Sequence, residues 1–298
     1  MKKPTNQRKN LGARITGSLA MAAVLLAAAR ANAAHELMYA IELQTDNLIS
    51  FYSDAPGTIL ASRAINGLQG AESVRGIDVG ANGVLYGLGS SSRLYTIDPN
   101  TGLATSVGSQ FSTLLNGSTF GMDIGSTGVR VISDLGQALL INTVTGVTTV
   151  QASPVYAAGD PHFGQTPAID ALAFNPTTSG WVAGDSLENS FATFTPSTGA
   201  LSTIGNAGID FGRNNGLDFS TLSGILYLAS PAASSDPAAN IYTVNPATGA
   251  VTLVGLIGHP GDNILINGLT VATVVPEPGS LGLLALGGIL CAIYHRKR

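Results

Sequence analysis

The sequence predicts an all-β protein, a β-propeller of five four-stranded blades whose first and last strands pair to close the ring. Three observations predict it. First, a hairpin phrase repeats: Leu94-Tyr95-Thr96-Ile97-Asp98-Pro99-Asn100-Thr101-Gly102 returns as Ile241-Tyr242-Thr243-Val244-Asn245-Pro246-Ala247-Thr248-Gly249, and in weaker form as Phe191 to Gly199 and Ala138 to Gly146. Its turn glycines are spaced by 44, 53 and 50 residues, and Pro56-Gly57, 45 residues before Gly102, supplies a fifth turn. A period of this length is that of one blade. Second, short strand-like runs are separated by Gly, Asn, Ser and Pro, with no helical periodicity between the two termini. Third, the repeat is broken at both ends in complementary ways.

In the clearest copy, Gly76-Ile77-Asp78-Val79 is a first strand and Val84 to Leu88 a second, joined by Ala81-Asn82-Gly83. Arg93 to Ile97 follows, then the turn ending at Gly102, then Leu103 to Val107. The first-strand phrase recurs as Gly121-Met122-Asp123-Ile124, Ala171-Leu172-Ala173-Phe174, Gly216-Leu217-Asp218-Phe219 and Gly268-Leu269-Thr270-Val271. The last copy has no strands after it. The start of the body has the opposite defect, because Leu37 to Ile41, Leu48 to Tyr52 and Thr58 to Ile65 read as second, third and fourth strands without a first. Joining the ends completes a blade and removes the open sheet edges. Met38 to Glu42 also matches the third-strand phrase, which leaves the register of that blade open, and an open solenoid or a sandwich suits regular short strands as well.

The termini carry addresses. Residues 1–33 read as a secretory signal, with Lys2, Lys3, Arg8, Lys9 and Arg14 before the apolar run Ile15 to Ala29 and Ala31-Asn32-Ala33 as the cleavage site. Residues 276–298 begin Pro276-Glu277-Pro278, continue through a short apolar stretch from Ser280 to Tyr294, at or just below bilayer-spanning length, and stop at His295-Arg296-Lys297-Arg298. This arrangement resembles the PEP-CTERM sorting signal of Gram-negative bacteria that make exopolysaccharide. The resemblance implies removal of the tail by an exosortase-type membrane protease, delivery to the outer surface or matrix, and membrane association through the tail alone.

Between the ends, residues 34–275 hold five arginines, no lysine and 17 acidic residues, a net charge of −12. Nucleic-acid binding requires cationic neutralisation of phosphates, so this balance disfavours it. The one cysteine, Cys291, lies in the tail, and the body therefore has no disulfide, thiol nucleophile or thiolate metal site. From residue 37 to 273 the body also resembles a family of secreted bacterial proteins known only as a domain of unknown function, on phrases such as that from Gly76 to Gly102. That resemblance implies a propeller-like repeat with no established reaction and carries over no catalytic residue; no cofactor is expected, with calcium left open.

Chemistry is sparse. Asp78, Asp123 and Asp218 hold equivalent first-strand positions and would converge on the central channel, where carboxylates could hold a hard cation such as calcium or accept backbone amides between blades. Ala173 and Thr270 occupy the remaining two positions, which weakens the metal reading. The turn at Asp98 has the Pro and Gly offsets of a hairpin turn rather than a calcium loop. Candidate binding loops are the long connection from Gln151 to Ile169, with Asp160 and His162, and the His259 to Asp262 segment. No nucleophile elbow, H-E-x-x-H, P-loop or complete EF-hand is present. The sequence thus favours an exported, noncatalytic propeller for binding or structural association at the cell surface or in the exopolysaccharide matrix, with extracellular polysaccharide or a surface protein as the expected partner. The enzyme alternative is a metal-assisted hydrolase or lactonase-like propeller, with some of the three aspartates as ligands and His162 or His259 moving protons.

Overall fold

A computed structural model describes residues 35–273. Within them the chain forms 21 strands in five sheets and no helix, so none is long and apolar enough to cross a membrane among the described residues. The expected secretory signal, Pro276, Glu277, Pro278 and the apolar tail lie outside these residues.

Each blade is an antiparallel meander. Blade two is β4 (Val74–Val79), β5 (Leu85–Gly89), β6 (Arg93–Ile97) and β7 (Ala104–Val107). Blade three is β8 (Phe120–Gly125), β9 (Gly128–Ser133), β10 (Ala138–Ile141) and β11 (Thr148–Val150). Blade four carries β13 (Ile169–Asn175), β14 (Gly180–Asp185), β15 (Ser190–Thr195) and β16 (Ala200–Asn206), and blade five β17 (Gly216–Phe219), β18 (Leu226–Pro231), β19 (Ala239–Val244) and β20 (Val251–Leu256). Blade one is assembled from both ends: β21 (Ile266–Val271) lies inside β1 (Leu37–Glu42), followed by β2 (Asn47–Tyr52) and β3 (Ala61–Ala64).

The register of blade one is settled by the pairs Met38 with Val271, Tyr39 with Thr270 and Ala40 with Leu269. Leu37–Glu42 is a second strand, and its match to the third-strand phrase is coincidental. The inner strands β4, β8, β13, β17 and β21 pack each on the next and back to the first, which closes the ring. Apolar residues on both faces of the strands feed five clusters, one at each blade interface: Tyr86 and Leu88 with Met122 and Val131, for example, and Tyr227 and Ile241 with Met38 and Leu269. The core is therefore a ring of layers between blades, and closure completes the last layer.

The repeated turn explains itself in this packing. The Asp98 carboxylate accepts the Asn100 amide at 2.8 Å and the Thr101 hydroxyl at 2.9 Å, while Gly102 N–H donates to the Asp98 carbonyl at 2.8 Å. Gly102 has φ 75°, and a Cβ there would stand 2.3 Å from the Ala64 carbonyl oxygen of the preceding blade. The turn is thus a spacer-free contact between neighbouring outer strands. Pro56-Gly57 serves the closing interface, where Gly258 N–H donates to the Pro56 carbonyl at 3.0 Å.

Blade four departs from the expected four strands. The long connection after β11 lays β12 (Val155–Tyr156) parallel to β16, with Val155 and Ala157 N–H groups donating to the Gly199 and Leu201 carbonyls at 2.9 Å each. Burial of Tyr156, whose hydroxyl donates to Asp185 at 2.7 Å, holds this fifth strand in place. Nothing in the two-residue segment has strand periodicity, because its partner lies 45 residues downstream.

Candidate functional site

The five inner strands begin at the end of the channel reached by the longer outer-to-inner connections and finish at the end bearing the short hairpin turns. Asp78, Asp123 and Asp218 come together at the second end. Their side chains are almost fully buried, and one carboxylate oxygen from each lies within 4.8 Å of the others. They floor a funnel of about 230 Å³ walled by Val79, Ile124, Phe174, Phe219 and Val271.

Each carboxylate reaches into the next blade. Asp78 accepts the Ile124 amide at 2.8 Å, Asp123 the Phe174 amide at 2.7 Å, and Asp218 the Val271 amide at 2.6 Å. Thr270 continues the pattern: its hydroxyl oxygen accepts the Val79 amide at 3.1 Å while its proton is donated to Asp78 at 2.9 Å. Only Ala173 breaks the circle, since a methyl group has no acceptor. The amide that would face it, that of Phe219, turns back to Asp218. Burial raises the pKa of all three aspartates, and repulsion among them adds to this for Asp123 and Asp218. Asp78 and Asp123 also share a hydrogen bond, which accommodates two carboxyls when one is protonated. An oxygen-only set of this kind suits a hard cation, but amides already occupy several of its lone pairs.

The predicted loop residues do not join this floor. Asp160 accepts the Thr203 amide at 2.6 Å and its hydroxyl at 2.8 Å, tying the long connection to β16. His162 Nδ1 lies 2.9 Å from Glu188 Oε2, and its ring tilts over Tyr156. His259 is exposed and sits 3.7 Å from Asp262, whose carboxylate accepts the His259 amide at 2.7 Å in a local turn. Neither histidine lines the funnel, so the proton-transfer partners of the hydrolase alternative stand apart from its metal ligands.

Sequence reasoning missed the opposite end of the channel. The residue immediately before each first-strand phrase is Arg75, Phe120, Asp170, Asn215 or Asn267. These positions vary in residue type around the ring, whereas the conspicuous repeated signal is the aspartate two residues after the phrase glycine. Asp170 is 1% exposed, and burial pushes its pKa up to about 7, with the charges of Asp185 and Asp134 adding to the effect.

This has a testable consequence for pH. The folded-state pKa of Asp170 is raised above its unfolded value, so its contribution to stability is complete below about pH 4 and is lost as pH rises through 7. Between those limits the loss is about 4 kcal/mol, and the three funnel aspartates act in the same direction. Chelator-treated protein is expected to melt at a higher temperature at pH 5 than at pH 8, and Asp170→Asn to remove part of that difference. A melting temperature that rises from pH 5 to pH 8 would contradict this assignment of charge states.

Comparison with known proteins agrees with the architecture. A family model described as a domain of unknown function (DUF4394) matches residues 47–270, and a PEP-CTERM protein-sorting motif matches residues 274–298. No curated protein matches the chain. Among solved structures, a chain of a nidogen/laminin complex is similar with a TM-score of 0.50 at 13% identity, over 80% of this chain and 98% of that one. A protein of unknown function from Bacteroides thetaiotaomicron gives 0.49 at 12% identity, over 74% and 55%. A glutaminyl cyclase from Myxococcus xanthus gives 0.46 at 11% identity, over 71% and 83%. At 13% identity the likeness to the nidogen/laminin chain is one of fold alone.

Proposed function

The chain belongs to the DUF4394 family and ends in a PEP-CTERM motif, the recognised signal for exosortase processing and export to the cell envelope or outer surface, and from that premise we propose that it is a noncatalytic binding or structural module. Its place is the outer surface or exopolysaccharide matrix of a Gram-negative cell, and its partner an extracellular polysaccharide or a surface protein. One observation carries this reading. The repeated aspartates, the residues best suited to chemistry, are spent on amides of neighbouring blades, so they serve the ring. Rigid blades with varied connections at one end of the channel are a scaffold for recognition by loops.

The test is binding by the mature protein to a glycan array, to exopolysaccharide and to isolated outer surfaces. Retention of a polymer or surface protein is expected. No retention in any arm would remove the proposal. The proximity of the three funnel carboxylates favours the metal-assisted hydrolase as a second reading. That reading requires divalent-dependent cleavage of an ester or lactone panel, abolished by Asp123→Asn. Such cleavage would replace the binding proposal with an enzyme.

A further inference from the structure

The middle of the channel is narrow. Gly76, Gly121, Ala171, Gly216 and Gly268 bring the five inner strands close to the axis, leaving about 10 Å³, room for one water-sized particle. At the end reached by the longer connections this space is bounded by Asp170 and Asn215, from adjacent blades.

Both side chains are almost wholly buried, at 1% and 3% exposure, and each has one oxygen without a partner. The Asn215 amide nitrogen donates to Asp170 Oδ1 at 3.1 Å and to the Gly212 carbonyl at 2.5 Å, which fixes which end of the amide is the acceptor. Asn215 Oδ1 and Asp170 Oδ2 are left over. The Ser186 hydroxyl, 3.5 Å from the Ala168 carbonyl, also hydrogen-bonds the Asp170 carboxylate, while Oδ2 itself keeps no partner. Two buried acceptors beside one small space are expensive unless something electropositive completes them: a proton on Asp170 shared with Asn215 Oδ1, a water or a cation.

Charge distinguishes an ion from a water. Asp134 and Asp185 add negative potential at Asp170. Asp185 is committed to the Tyr156 hydroxyl and the Ala168 amide, and Arg213 reaches Asp134 at 3.7 Å from an exposed position. Arg75, on the same ring of positions, acts on Asp46. A water would satisfy the two oxygens but leave this potential uncompensated; a proton on Asp170 neutralises it, and a bound cation takes that proton's place. We propose that Asp170 Oδ2 and Asn215 Oδ1 bind one hard metal cation at the axis of the propeller, with water completing its coordination from the channel mouth. The cation would pin blades four and five together beneath the connections that the binding proposal uses, at a site distinct from the three-aspartate funnel.

The experiment is calorimetric titration of the chelator-treated, full mature protein with calcium and, separately, magnesium, beside metal analysis of the protein before chelation. One site per chain is expected for at least one of the two ions. Asp170→Asn keeps the shape and removes the charge, and is expected to weaken that site at least tenfold, the loss that even outer-sphere partners of a metal can cause. Asn215→Ala is expected to weaken it in the same way, and Asp123→Asn to leave it intact. Circular dichroism of each variant establishes that it is folded. Absence of binding by the folded wild type, binding unaltered by Asp170→Asn, or binding lost in Asp123→Asn with Asp170→Asn unaffected would each overturn the assignment. The last result would place the ion in the funnel.

Discussion

A chain of residues 34–263 is expected to aggregate, or to lose most of its cooperative thermal transition, whereas residues 34–275 melt as a monomer. The truncation removes β21, and with it the buried side chains of Ile266, Leu269 and Val271. Each is worth roughly 1.5–3 kcal/mol of burial, so the three together approach the 5–15 kcal/mol that a whole domain has to spare. The loss does not stop there. Asp218 forfeits the Val271 amide, Asp78 forfeits the Thr270 hydroxyl, and both become buried carboxyls short of a donor. β1 is left with a bare inner edge where Met38 to Glu42 had paired with β21, a template for another chain. Light scattering after size-exclusion chromatography and a melting curve check the prediction. Two monomeric species with equal melting temperatures would mean that the ring is not held by its terminal strand.

Gly216→Ala is expected to destabilise the protein by about 3 kcal/mol, the upper end of what overpacking costs. A Cβ at Gly216 would lie 2.3 Å from Leu269 N, 2.4 Å from Leu269 Cβ and 2.7 Å from Gly268 C. Those atoms belong to β21, whose position is fixed by its hydrogen bonds to β1, so relief requires an inner strand to leave the axis. Gly180→Ala is the control, because its new methyl would meet only the Thr178 hydroxyl at 3.2 Å. Urea unfolding of the two variants should separate them by more than 1.5 kcal/mol, a difference set by backbone clash against a movable side chain. Equal midpoints would show that the inner strands can separate without cost, and the narrow axial space on which the cation proposal rests would lose its basis.

What could be read from the chain varied with the range of the interactions concerned. The Asp98 to Gly102 turn was legible because its hydrogen bonds join residues two to four apart. The convergence of Asp78, Asp123 and Asp218 followed once the ring was inferred, since equal positions in a repeat become neighbours around an axis. His162 and His259 suggested a site through residue type and their place on irregular connections beside Asp160 and Asp262. The structure instead gives each a nearby carboxylate, Glu188 for His162 and Asp262 for His259, and puts neither in the funnel. The β12 strand and the Asp170–Asn215 pair were not recognised, because strand propensity in two residues is negligible and a one-residue offset from a conspicuous phrase carries no signal of its own.

The sequence by itself determined an all-β repeat and pointed to five blades and a closing strand, because each blade is a meander of local contacts and a missing strand at one end is matched by a surplus strand at the other; ring closure over a solenoid or sandwich, and the register of blade one, came from the pairing of β21 with β1. Only the tertiary structure decided what the buried polar groups do. Whether a carboxylate accepts an amide, faces its own kind or is left with a vacant oxygen depends on distances of a few ångströms between blades about 45 residues apart. Those distances are set by how closely the inner strands approach the axis, and no local feature of the chain encodes them.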